Sequence, residues 1–159
     1  LFRFRVKYFK IRNICMSYIM MNEEIDILLN NVMALIKSRN RRLMESYGIT
    51  PLQYRALSLI KDKNPTMGDL CNLLYLSSSS VTDLVDRIES NRLARRIRSS
   101  EDRRVITLEI TEEGISLLEE IREKESEVLS KSLNLLDEET KIRIKYALEE
   151  LYNVLKKED

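Results

Sequence analysis

At 159 residues, with 43% hydrophobic content, three glycines and two prolines, the chain is sized for one helix-rich domain or a small module with helical extensions. It has no histidine, which excludes a Ser-His-Asp triad, a Cys-His pair and HExxH zinc ligation. With no glycine-rich phosphate loop either, the inventory points away from an enzyme and from any cofactor or metal. The net charge of +1 conceals a segregation: +5 over residues 1–20, −3 over 21–36, +6 over 37–104 and −7 over 105–159. That pattern suits a protein that lays one face on phosphates, or, more plainly, charge variation along solvated helices. No run approaches the ~18 apolar residues of a membrane span. Cys15 and Cys71 are far apart and lack CxxC spacing, so a reducing cytoplasm is expected.

Residues 1–20, LFRFRVKYFKIRNICMSYIM, are basic, aromatic and free of acids. Met21-Asn22-Glu23-Glu24 looks like a natural start, so this leader reads as upstream sequence, as an arm that touches DNA or a partner subunit, or as a targeting segment, for which it lacks a long apolar stretch. A first helix is predicted over 23–46. Ile25, Leu28, Leu29, Val32, Leu35, Ile36 and Leu43 keep a period near 3.6, and Gly48 suits a left-handed C-terminal position. Thr50-Pro51-Leu52-Gln53 is a capping box with proline at the first helical position. It starts a helix to about Lys61 that carries Leu52, Ala56, Leu57, Leu59 and Ile60. Thr66 caps a short helix from Met67 to about Leu74, with Leu70, Leu73 and Leu74 inward.

After the turn Tyr75-Leu76-Ser77, a helix from about Ser79 to Ser90 is capped by one of Ser77 to Ser80, and spacing does not decide which. Val81, Leu84, Val85 and Ile88 stand at i, i+3, i+4 and i+7. Asn91 is expected in the left-handed position that ends it. Seven arginines lie between Arg87 and Arg104, and two strand-like runs, Arg95–Arg98 and Val105–Ile110, flank a charged tip at 99–104. Thr111 caps a long helix to about Leu133, with Ile115, Leu118, Ile121, Val128 and Leu129 on its stripe and Glu125 interrupting it. Asp137 caps the last helix, where Ile144, Ala147, Leu148, Leu151, Val154 and Leu155 recur. Helix, turn, helix and basic hairpin make a winged helix-turn-helix, a mainly α fold with a small β-wing. Four segments are expected: a leader (1–20), an N-terminal dimerisation helix (21–48), the winged module (49–110) and C-terminal dimerisation helices (111–159). The small winged module cannot cover the apolar faces of the first and last two helices, so a second copy is expected on them.

TPLQYRALSLI (50–60), SSSSVTDLVDRIESNRLARR (77–96) and EDRRVITLEITEEG (101–114) resemble the MarR family of bacterial and archaeal transcription regulators, and the resemblance covers about residues 23–157. It implies a dimer of winged helices that binds a palindromic operator in double-stranded DNA, usually as a repressor released by a small molecule or an oxidant. Carried over to this chain, it gives Ser78, Ser79, Ser80, Thr82, Asp83 and Arg87 as groove-facing residues. Capping alone also explains Ser77 and Ser80. It gives Asp102 and Arg104 as a wing brace, and Arg103, with Arg104, as DNA contacts at the tip; a solvated charge is the plainer alternative.

Asp83 departs from the family's usual basic or neutral residue; an acid near DNA is costly unless it accepts from cytosine N4 or orients an arginine. Tyr75 and Arg92 stand where the family often has glycine. For a phenolic or carboxylate inducer the resemblance points to Arg39, Tyr47, Tyr54 and Arg55 around the cleft between the dimer helices and the winged module, although tyrosines at helical spacing are more often core. Of the two thiols, Cys15 precedes the first predicted helix and Cys71 is expected to be buried. The competing reading is a winged module that binds proteins without an operator, for which Asp83 and the low net charge speak.

Overall fold

A computed structural model describes residues 2–98 and 105–157, with side chains from residue 20 onward. Its elements are α1 (Phe2–Ser46), α2 (Pro51–Lys63), α3 (Met67–Leu74), α4 (Ser78–Ser90), β1 (Ala94–Arg98), β2 (Ile106–Ile110), α5 (Glu112–Leu133) and α6 (Glu138–Leu155). The helix starts from α2 onward follow from short polar side chains that accept an otherwise orphaned N–H. Thr50 accepts from Gln53 and Thr66 from Asp69, each closing a reciprocal capping box. Ser77, Thr111 and Asp137 cap α4, α5 and α6. Gln53 is buried, and its side-chain oxygen accepts the Thr50 N–H at 2.8 Å; among the described residues no buried side-chain nitrogen or oxygen lacks a partner.

α1 is longer than its hydrophobic period suggests. It begins at Phe2 and is continuous through the composition boundary at residue 20, giving 45 helical residues, about 68 Å of helix. Gly48 takes the left-handed conformation (φ 73°) that ends it. Asn91 does not behave as expected. Its φ is −84°, and the left-handed residue is the next one, Arg92 (φ 59°). The Arg92 N–H donates to the Glu89 carbonyl and the Leu93 N–H to the Ile88 carbonyl. The reversal therefore falls one residue later than a search for asparagine suggests. Tyr75 (φ 56°) does the same in the turn between α3 and α4. Both are positions where the resemblance led one to expect glycine, and both bulky side chains stand in solvent.

β1 and β2 pair antiparallel, Ala94 opposite Ile110 and Arg98 opposite Ile106. The α2–α3 loop joins their edge, with a bridge between Thr66 and Thr107 and a bond from the Leu108 N–H to the Pro65 carbonyl at 2.9 Å. The core lies inside this module: Leu57, Ile60, Leu70, Val81, Val85, Ile88 and Leu108 are fully buried, and Leu118 and Ile121 of α5 close it. Leu52, expected inward, is 41% exposed, and Cys71 is half-buried rather than enclosed. Outside the module the apolar stripes stand open. Ile25, Leu28, Val32 and Leu35 of α1, Val128 and Leu129 of α5, and Ile144, Leu148 and Val154 of α6 are exposed, and α6 buries no residue. No helix among the described residues is long and apolar enough to cross a membrane.

One close approach sets where α5 starts. The Thr111 hydroxyl donates to the Arg92 carbonyl at 2.7 Å and accepts from the Gly114 N–H, while the Thr111 N–H donates to the Leu93 carbonyl at 3.1 Å. A Cβ on Gly114 would lie 2.1 Å from that same carbonyl oxygen, so α5 reaches the end of α4 only because residue 114 has no side chain. Gly114→Ala is expected to lower the unfolding free energy by about 3 kcal/mol, the upper range for overpacking. Urea denaturation at fixed protein concentration reads this, and a change below about 0.5 kcal/mol, the scale of an ordinary surface substitution, would contradict the contact.

Candidate nucleic-acid interface

The four apolar residues of α4 fix its rotation. Val81, Leu84, Val85 and Ile88 are buried, and with about 100° per residue the opposite arc centres on Ser79, Asp83 and Asp86. Ser78 and Thr82 flank it on one side, Ser80 and Arg87 on the other. All of these are exposed, so the structure brings the sequence-derived groove residues of α4 onto one outward surface.

The serines there are largely engaged with one another. Ser77 is the cap, accepting from the Ser80 N–H at 3.3 Å, and its hydroxyl bonds those of Ser79 (3.0 Å) and Ser80 (2.9 Å). The Thr82 hydroxyl donates back to the Ser78 carbonyl at 2.9 Å. Among the described residues Asp83 and Arg87 have no ion-pair partner, although they stand four residues apart on α4.

The basic hairpin proves to be partly internal. Arg95 faces Glu109 directly across the ladder and donates to its carboxylate from Nε at 2.8 Å and from its terminal nitrogen at 2.6 Å. Arg96 folds back onto α4, pairing with Asp86 at 2.7 Å and with Glu89. Glu89 also accepts the Arg96 backbone N–H at 2.7 Å. This clamp holds β1 to the recognition helix, and the sequence reading missed it. Its only sequence signal is the pair of acids at i and i+3 on α4, whose partner lies across a turn. Arg87, Arg92 and Arg98 make no ion pair with another described residue. Asp102, Arg103 and Arg104, expected at the wing brace and tip, lie outside the described residues.

Of the four residues picked for an inducer, Tyr47 lines one of the two described clefts and the other three line neither. Tyr47 lines a cleft of about 740 Å³ with Ile49, Leu93, Glu112, Glu113 and Glu120. Its hydroxyl donates to Glu120 at 3.1 Å. Burial first, and then this bond, hold the Tyr47 phenol above its ordinary value. Tyr54 packs half-buried on the core, and its phenol is also raised, first by burial and then by the nearby Glu125. Glu125, the acid on the α5 stripe, is itself raised by burial. Arg39 instead reaches Ser132 of α5 at 3.2 Å, and Arg55 lies 3.5 Å from the Leu73 carbonyl. A second cleft of about 540 Å³, lined by Lys37, Arg41, Met44 and Pro51 among others, contains none of the four. No group of His, Cys, Asp and Glu among the described residues has a metal-holding arrangement.

Comparison with known proteins agrees with this architecture. The sequence model of the MarR family matches residues 47–105, the winged module. The uncharacterized HTH-type transcriptional regulator YsmB of Bacillus subtilis is 34% identical over 107 residues, 67% of this chain and 73% of that protein. The HTH-type transcriptional repressor MdtR of the same organism is 31% identical over 117 residues, 73% of this chain and 76% of that one. The solved structure of a MarR family protein from Bacillus stearothermophilus superposes with a TM-score of 0.70 at 33% identity, covering 84% of this chain and 94% of that one.

Two outcomes follow from the geometry. Arg96→Ala leaves Asp86 and Glu89 without their cation and is expected to cost about 1.5–3 kcal/mol, the range for hydrogen bonds to charged groups; denaturant unfolding beside an Arg98→Ala control, expected near zero, reads it. The raised Tyr47 value means that its contribution to stability is full below pH 10.0 and is lost as the pH climbs through the folded value. An ultraviolet titration of Tyr47→Phe should lose a late-ionising phenol. Loss of an early-ionising phenol would contradict the Tyr47–Glu120 bond.

Proposed function

This chain belongs to the MarR family, and on that footing we propose that it acts as a homodimeric repressor on a palindromic operator, released by a small ligand. It is a DNA-binding transcriptional regulator with a winged helix-turn-helix, in a family of regulators rather than enzymes. The observation that carries the reading is the outward face of α4. Its rotation is fixed by four buried residues, and its polar side chains are presented together at the N-terminal end of the helix. That is the end that enters a major groove in helix-turn-helix proteins. Ser78, Ser79, Thr82 and Arg87 contact phosphates and base edges, and Arg98 with Arg103 and Arg104 extends the contact from the wing.

The dimer rests on the open apolar stripes of α1, α5 and α6, which a second copy would cover at once. For the releasing ligand, the Tyr47 cleft favours a phenol over a carboxylate. Its three glutamates repel an anion, and Glu120 accepts from a hydroxyl. A carboxylate instead suits the cleft lined by Lys37 and Arg41.

Selection from a randomised duplex pool with the purified full chain, followed by binding over a salt series and mass determination in solution, tests the reading. A single palindromic motif bound by a dimer is expected. Arg87→Ala and Arg98→Ala should weaken binding to all sequences and each reduce the salt slope by about one. Enrichment of no motif would count instead for a winged module that meets proteins, and a monomeric mass at micromolar concentration would remove the dimer.

A further inference from the structure

The acid in the middle of the recognition face calls for a physical account. A carboxylate beside a duplex is repelled by phosphates, and it is tolerable in one of two ways: it orients an arginine, or it accepts a hydrogen bond from a base. α4 contains both situations. Asp86 is the orienting acid, held at 2.7 Å by Arg96 and thereby neutralised. Asp83 is different. It is exposed, it stands at the centre of the arc opposite Val81, Leu84, Val85 and Ile88, and among the described residues it has neither an ion pair nor a hydrogen bond. Arg87, one turn further on, is placed to pair with it and does not.

The neighbours narrow the role. Thr82 directs its hydroxyl to the Ser78 carbonyl, and Ser79 and Ser80 are bonded to Ser77. Asp83 is thus the one charged acceptor at the centre of that face without an intramolecular partner among the described residues. A carboxylate is an acceptor only. In the major groove it is repelled by guanine, with acceptors at N7 and O6, and by thymine O4, and it is matched by an amino group. Adenine N6 has an acceptor on each side, N7 and the paired thymine O4. Cytosine N4 has the paired guanine O6 on one side only and its own C5–H on the other, where the second carboxylate oxygen meets no opposing lone pair.

We propose that Asp83 reads a cytosine: each half-site bears one at the position facing the centre of α4, and the Asp83 carboxylate accepts from its N4 amino group. This rests on the DNA-binding reading and goes beyond it by naming the side chain that sets sequence choice and the base that it chooses.

The test is the same duplex selection, run on the wild-type full chain and on Asp83→Ala and Asp83→Asn. The exposed position keeps both variants folded, which unchanged thermal melting would verify. The wild type is expected to select cytosine at one position of each half-site. Asp83→Ala should lose that choice, with the cytosine-over-guanine affinity ratio falling about tenfold or more, while affinity for unrelated DNA stays or rises because a negative charge has gone. Asp83→Asn, which offers a donor and an acceptor together, should turn the choice towards adenine. A cytosine-free wild-type motif, or one left unchanged by both variants, would overturn the assignment and leave the regulator reading intact. No motif from any of the three proteins would remove that reading, and the Asp83 assignment with it.

Discussion

The burial of Val81, Leu84, Val85 and Ile88 is the constraint on which the rest depends. These side chains leave α4 a single rotation about its axis, because any other would expose a fully apolar stripe and place Ser79, Asp83 or Asp86 in the core. Burying each such side chain contributes roughly 1.5–3 kcal/mol. Shifting the stripe would thus forfeit a sum comparable to the whole stability of a small domain. What faces outward is therefore determined by what faces inward.

The wing and the long helix are then positioned from the end of α4. Arg92 reverses the chain in a left-handed conformation, Arg96 returns to Asp86 and Glu89, and Thr111 with Gly114 brings α5 against the Leu93 carbonyl. The start of α5 is thereby tied to the end of α4 by short, direct contacts. The Tyr47 cleft opens at this junction, lined by Leu93 and Asn91 on one side and by the first turns of α5 on the other.

Charge follows the same division. Much of the apparent basicity of the hairpin is neutralised within the fold, by Glu109 on Arg95 and by Asp86 and Glu89 on Arg96. Among the described residues of this region, Arg87, Arg92 and Arg98 keep a charge without a described ion-pair partner, beside an acid at the centre of the face.

The sequence by itself determined the order and type of the elements and most of their starts. Caps and apolar periods are local: Thr50 with Gln53, Thr66, Thr111 and Asp137 meet their partners within one turn, so residue type and spacing suffice. The recognition helix and its outward residues were legible for the same reason, since its stripe and its exposed arc are two readings of one periodicity. Only the tertiary structure decided which described arginines are paired, because Arg96 finds its acids across a turn and Arg95 finds Glu109 across a ladder. It decided that Arg92 rather than Asn91 reverses the chain, since main-chain bonds to Glu89 and Ile88 outweigh the preference of a single side chain. It also separated Arg39, Tyr54 and Arg55 from the Tyr47 cleft. Membership of a cavity depends on how helices distant in the chain cross, and no local spacing encodes that.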